Sequence, residues 1–142
     1  MGKFAQDALT AWIQLGFTMV GGIYALYLLK QSHKDRKNQY VADILNQLYN
    51  DIEVRKIIYS VDSGQNVNEI RFRGALEQEA DKTLHYFDYI GYLIKERKLR
   101  LKDTRPFKYE INRVLDNEKV HAYIKWLREI GVPLEYLSYL RG

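Results

Sequence analysis

Residues 8–29 read ALTAWIQLGFTMVGGIYALYLL, with no charged side chain and only one strongly polar one, Gln14. No other feature of the chain restricts its folding as much. At about 1.5 Å of rise per residue a helix of this length spans roughly the 30 Å hydrocarbon core of a bilayer. Such a helix satisfies its own backbone in lipid, so the glycines Gly16, Gly21 and Gly22 are tolerated there. Trp12 stands near one end and Tyr24 and Tyr27 near the other. Amphipathic rings favour the headgroup level, so the three make a belt at each interface. The sequence therefore predicts a membrane anchor.

Two other readings compete with the anchor. A cleaved signal peptide needs a basic start, a shorter apolar run and a small-residue cleavage site. Here Lys3 is balanced by Asp7, and no A-x-A follows the run. A buried core helix of a soluble protein is the other alternative. The flanking charge favours the anchor and gives it a direction. Residues 1–29 sum to zero, whereas Lys30, Lys34, Arg36 and Lys37 against Asp35 make residues 30–37 net +3. Positive flanks stay on the cytoplasmic side. The expected organisation is a short extracytoplasmic N-terminus at 1–7, a spanning helix at 8–29, a basic juxtamembrane neck at 30–37 and a cytoplasmic helical domain at 38–142. The membrane is then the cell's inner (plasma) membrane, crossed once. Thr18 with Gly22, and Gly21 with Ala25, place small residues four apart, a spacing that admits a second helix.

The remainder reads as helices. No proline or glycine occurs between Lys30 and Ser63, so the anchor is expected to run on through the neck. Val41, Ile44, Leu45, Leu48 and Ile52 recur at helical spacing and predict an amphipathic helix over residues 38–59. Residues 60–66, SVDSGQN, break it. Asn66 with Glu69 forms a capping-box pattern that opens a central helix ending near residue 98. Leu76, Ala80, Leu84, Phe87, Gly91 and Ile94 form its stripe, widened by Tyr86, Tyr89, Ile90 and Leu93. A stripe that wide packs against more than one neighbour. Gly91 in mid-helix costs about 1 kcal/mol against alanine unless it admits a close helix crossing. Residues 102–105 read as a polar loop, and Pro106 as the first turn of a short helix carrying Phe107, Ile111, Val114 and Leu115. Asn117 caps another, with Val120, Ile124, Leu127 and Ile130, which Gly131 and Pro133 end. Leu134, Leu137 and Leu140 suggest a last turn on the bundle. The fold class is all-α: one transmembrane helix, then a small bundle of four or five helices.

Residues 84–94, LHYFDYIGYLI, followed by a basic turn and Phe107, resemble a pattern of an uncharacterised bacterial family, domain of unknown function 4760. Members of that family join one N-terminal spanning helix to a small helical domain. The resemblance covers nearly the whole chain. It implies an anchor and a helical domain, and it carries over no catalytic residue.

Chemistry is harder to find. The chain has no cysteine and three histidines, so thiolate nucleophiles and cysteine metal sites are excluded. No phosphate loop, nucleophile elbow or H-E-x-x-H occurs. Glu77, Asp81, His85 and Asp88 form a line of oxygen and nitrogen donors on the central helix. Helical bundles build metal sites from such residues, but they draw Glu-x-x-His pairs from several helices. This row has no matching set elsewhere and lies beside the apolar stripe, as a solvated rim would. Lys95, Arg97, Lys98, Arg100, Lys102, Arg105 and Lys108, offset by Glu96 and Asp103, make a local +5. Such a run suits phosphates of lipid or nucleic acid, and bases at a helix C-terminus also complement its dipole. Residues 38–142 sum to only +1, which argues against a dedicated nucleic-acid binder. The tyrosines are core, rim or a partner surface.

The expectation is accordingly a non-enzymatic, membrane-anchored interaction protein, an adaptor or regulator. Its partners are the bilayer and another protein or a second copy, with no cofactor and no small-molecule substrate. A membrane-associated enzyme or metal protein using the acidic row is the alternative, and binding of anionic lipid or nucleic acid through the basic run is another. A pocket gathering the row with a second helix would favour the enzyme. A flat exposed aromatic patch would favour the binder.

Overall fold

The computed structural model describes residues 2–64 and 74–141, and those residues are mostly helical, with turns, short irregular stretches and no strand. Five α-helices follow in order: α1 Gly2–Asn50, α2 Ile52–Ser63, α3 Glu77–Lys95, α4 Lys108–Leu115 and α5 Glu118–Glu129. Two 3-10 turns complete them, Leu101–Phe107 between α3 and α4 and Leu137–Leu140 after α5. The chain divides into two compact units, Met1–Asn38 and Gln39–Gly142.

The first unit is helix alone. Its apolar stretch has a mean hydropathy of 1.4, the one described helix long and apolar enough to cross a membrane. Every described side chain from residue 12 to residue 29 is exposed. Phe17 is 77% exposed and Ile23 69%. Thr18 turns its hydroxyl back to donate to the Gln14 carbonyl at 2.9 Å, which satisfies that donor within the helix. A Cβ added at Gly21 or Gly22 would meet nothing.

The second unit is a helical domain with one core. α3 is its axis. Leu84, Phe87, Ile90 and Leu93 are fully buried along it, against Val54 and Ile57 of α2 and Leu137 and Leu140 of the terminal turn. Phe107, Ile111, Val114 and Leu115 enter from α4 and the turn before it, and Val120, Ile124 and Leu127 from α5. The end of α1 supplies Ile44 and Leu48. Thr83 is also fully buried, and its hydroxyl donates to the Glu79 carbonyl at 2.7 Å.

The helix boundaries differ from the sequence expectation in five places, the first being that residues 74–76 are not helical and α3 begins only at Glu77. Residues 38–59 are not one helix. α1 stops at Asn50 and α2 begins at Ile52, because the Asp51 carboxylate accepts from the amides of Glu53 at 3.0 Å and Val54 at 3.2 Å. Capping by a side chain restarts the helix. The phase then resets, so Ile52, placed on the apolar stripe by spacing, is 80% exposed. Residues 60–63 are helical, not a break, and α2 ends at Gly64. α3 ends at Lys95, three residues before the expected position, where Arg97 takes φ 56 and the Lys98 amide returns to the Leu93 carbonyl at 2.9 Å. The 102–105 segment is a 3-10 turn, not a loop. The Asp103 carboxylate accepts from the Arg100 amide at 3.0 Å, and Pro106 lies near the end of that turn instead of opening α4. Tyr89 and Ile130, assigned to apolar stripes, face solvent. The Asn66 and Glu69 box, like the side chains of Lys3 and Asp7, lies outside the described residues.

Other expectations hold. Asn117 caps α5, accepting from Lys119 at 3.0 Å and Val120 at 3.3 Å. Gly131, at φ 87, turns the chain out of α5 in a conformation that costs other residues. Gly91 does admit a close approach, but not by the expected helix. A Cβ there would stand 2.0 Å from the Tyr136 carbonyl oxygen. The neighbour is the backbone of the C-terminal segment, and among the described residues no second helix crosses there.

Candidate functional site

The acidic row is occupied in building the domain. Asp88 Oδ1 accepts from the amides of Tyr136 at 2.7 Å and Leu137 at 3.0 Å, so it caps the terminal turn. Asp81 Oδ1 accepts from the Tyr123 hydroxyl of α5 at 2.7 Å. Burial first, and that bond second, push the Tyr123 phenol far above its usual range. His85 Nδ1 lies 2.8 Å from the Asp81 carbonyl, which fixes the proton on that nitrogen. Glu77, half-buried, also has an interaction. Among the described residues no three such side chains gather as a metal site. Row and stripe share one helix, and the row ties two C-terminal elements onto it.

The basic run sits on the structure that Asp88 and Gly91 create. Seating Tyr136 on α3 brings its ring to 5.4 Å from Tyr92, edge to face. Lys95 Nζ then lies 4.8 Å from the Tyr136 ring, and Lys98 Nζ 5.5 Å from the Tyr92 ring. Ring faces attract cations, so both ammoniums are held in place by one aromatic pair. Arg97, Arg100, Lys102 and Arg105 of the same run are exposed, and Lys108 is half-buried at the start of α4. The described ion pairs lie elsewhere: Lys56–Glu79, Lys82 with Asp51 and Glu53, Arg113–Asp62 and Arg141–Asp116.

A third constellation escaped the sequence reading. Arg55 lies over the Tyr59 ring at 5.3 Å, and Arg113 over the Tyr109 ring at the same distance. Arg113 also donates to the Tyr109 hydroxyl at 2.7 Å and pairs with Asp62 at 2.8 Å. The Tyr49 hydroxyl donates to Glu110 Oε1 at 2.8 Å, and Arg55 donates to the Tyr49 carbonyl at 3.4 Å. The Glu110 hydrogen bond leads in raising the Tyr49 phenol, with burial and the carboxylate charge adding to it. Glu110 Oε2 is buried with no hydrogen-bond partner among the described residues. Tyr49, Ile52, Tyr59 and Tyr109 are nonetheless exposed, Tyr109 by 65%. The result is an aromatic and guanidinium face on α2, α4 and the end of α1. The signal was in the sequence: Arg55 with Tyr59, and Tyr109 with Arg113, are four apart and off the apolar stripes.

The basic patches at 30–37 and 95–108 therefore differ in kind. Lys30, Lys34 and Arg36 project from a lone helix, whereas the second patch is set on a packed aromatic pair. His33 and His121 are exposed. No family model, no curated protein and no solved structure matches the chain.

Proposed function

We propose that this protein is a single-pass membrane-anchored adaptor or regulator, whose helical domain engages another protein at the surface of a bacterial inner membrane. The resemblance to domain of unknown function 4760 accords with that organisation. The observation that carries the reading is the uncovered apolar surface of residues 12–29. Side chains of that size left in water are a large liability, and lipid is the solvent that removes it. The basic neck sets the N-terminus outside and the domain in the cytoplasm. The interaction half of the proposal draws on the face around Tyr59 and Tyr109. Tyrosine and arginine are enriched at protein interfaces, where rigid amphipathic rings contribute area at low entropic cost.

The absence of native cysteine allows a clean test. Gly2→Cys and Ser138→Cys variants of the full chain are labelled in intact cells with an impermeant maleimide. Cys at 2 is expected to react, and Cys at 138 only after permeabilisation. Carbonate washing is expected to leave both in the membrane. A protein released into the soluble fraction sinks the anchor, and the reverse labelling pattern sinks the orientation. A photo-crosslinker placed at Tyr59 is expected to give one discrete adduct that Arg113→Ala weakens. An adduct of twice the chain mass makes the partner a second copy. No adduct removes the interaction reading.

A further inference from the structure

We propose that the C-terminal end of α3, with the turn seated on it, is a docking site for anionic phospholipid headgroups of the membrane the chain enters. The proposal rests on the anchor reading above and adds a second point of contact with the bilayer.

Charge distribution is the first ground. Residues 38–142 carry +1 overall and residues 95–108 carry +5, so the rest of the domain carries −4. On a domain whose other residues are net acidic, this segment is the one an anionic surface attracts most strongly. The second ground is construction. Lys95 and Lys98 are fixed by cation–π contact to the Tyr136 and Tyr92 rings, and Tyr136 is fixed in turn by Asp88 and by the absence of a side chain at Gly91. Cations already held in position lose less freedom when they meet phosphate. Their outer sides are exposed, as are Arg97, Arg100 and Lys102. The third ground is the tether. Each base near an anionic surface raises residence there about five-fold, a weak effect for a free domain. On a chain already held at the bilayer the contact is intramolecular, so a few such factors suffice. Nucleic acid shares the phosphate chemistry, but an acidic remainder would repel a long polyanion wrapping around the domain.

The test uses the full chain reconstituted in vesicles of phosphatidylcholine, with or without phosphatidylglycerol. Acylation of Lys95, Lys98 and Lys102 is read by mass spectrometry against Lys119 and Lys125 of α5. Vesicle flotation in the same samples reads the anchor independently. The expected result is a several-fold slowing of acylation at the three lysines in anionic vesicles only, reversed by high salt, with α5 unaffected. The triple variant Arg100→Glu, Lys102→Glu and Arg105→Glu is expected to abolish the protection at Lys95 and Lys98 while still floating. These three side chains lie off the aromatic pair, and the salt titration of the unaltered chain decides the matter if the variant misfolds. Flotation with equal acylation in both vesicle types overturns the docking site and leaves the anchor standing. Failure to float overturns the anchor itself. Protection by added RNA without protection by anionic vesicles overturns the proposal in favour of nucleic acid.

Discussion

Gly91 shows what one residue can decide. In an exposed helix alanine would be the better choice by about 1 kcal/mol. Here the added carbon would lie 2.0 Å from the Tyr136 oxygen and 2.6 Å from its carbonyl carbon. Both are backbone atoms pinned by Asp88, so the segment has to lift off α3 as a whole. Overpacking of this kind costs about 1–3 kcal/mol, more than the propensity gain returns. Gly91→Ala is therefore expected to lower the melting temperature of the full chain in detergent by several degrees, roughly 4–8 °C for each net kcal/mol lost from a domain of this size. Trp126 fluorescence is a suitable probe, since that ring stacks on Tyr123 inside the domain. An unchanged or raised midpoint would mean that the C-terminal segment does not sit on α3 in this way.

Among the elements, what could be read from sequence was whatever periodicity controls. The buried faces of α3, α4 and α5 follow their i, i+3, i+4 spacing, and Asn117 and Gly131 punctuate α5 as expected. The failures occur where one side chain overrides the period. Asp51 is of a type that caps helices, but it sits in a run with no proline or glycine, and the apolar period runs past it unbroken to Ile52. Its partner is distant in sequence: Lys82 of α3 reaches its carboxylate at 3.0 Å. The Tyr59 and Tyr109 face was missed for the same reason, since its coherence comes from packing α2 beside α4. The acidic row was legible as a row but not as a set of caps and crossties, because Tyr123 and Tyr136 lie more than forty residues further along. Asp51→Ala should cost about 0.5–2 kcal/mol through loss of the cap. Hydrogen exchange at the Glu53 and Val54 amides is the measurement. It should rise sharply in Asp51→Ala and less in Asp51→Asn, which keeps an acceptor but loses the Lys82 charge. Equal exchange in the alanine variant and the parent would show that the restart of the helix does not depend on this residue.

For the whole molecule, the charges that join α2 to α3 set a pH window. Burial raises the Asp51 carboxyl, but the Lys82 ammonium and the amides of Val54 and Glu53 outweigh it and bring the group below its ordinary 3.8. The Lys56 hydrogen bond holds Glu79 below its ordinary 4.5. Both carboxylates thus bind protons more weakly in the folded chain than in the unfolded one. Their contribution is complete above those ordinary values and drains away as pH falls through the folded ones. Lys82 runs the other way. Glu53 and Asp51 raise it above 10.5, so its contribution is complete below that value and is lost as the solution becomes more alkaline still. Stability against denaturant should therefore be level around neutrality and fall below about pH 4, as the two carboxylates protonate. The pairs are partly exposed, so salt should shallow the acid limb. The double variant Asp51→Asn with Glu79→Gln should be less stable at neutral pH, yet converge on the parent near pH 2. Curves that stay parallel down to that pH would show that acid acts through other carboxylates, and that the α2–α3 seam is held by Val54, Ile57 and Leu84 without help from charge.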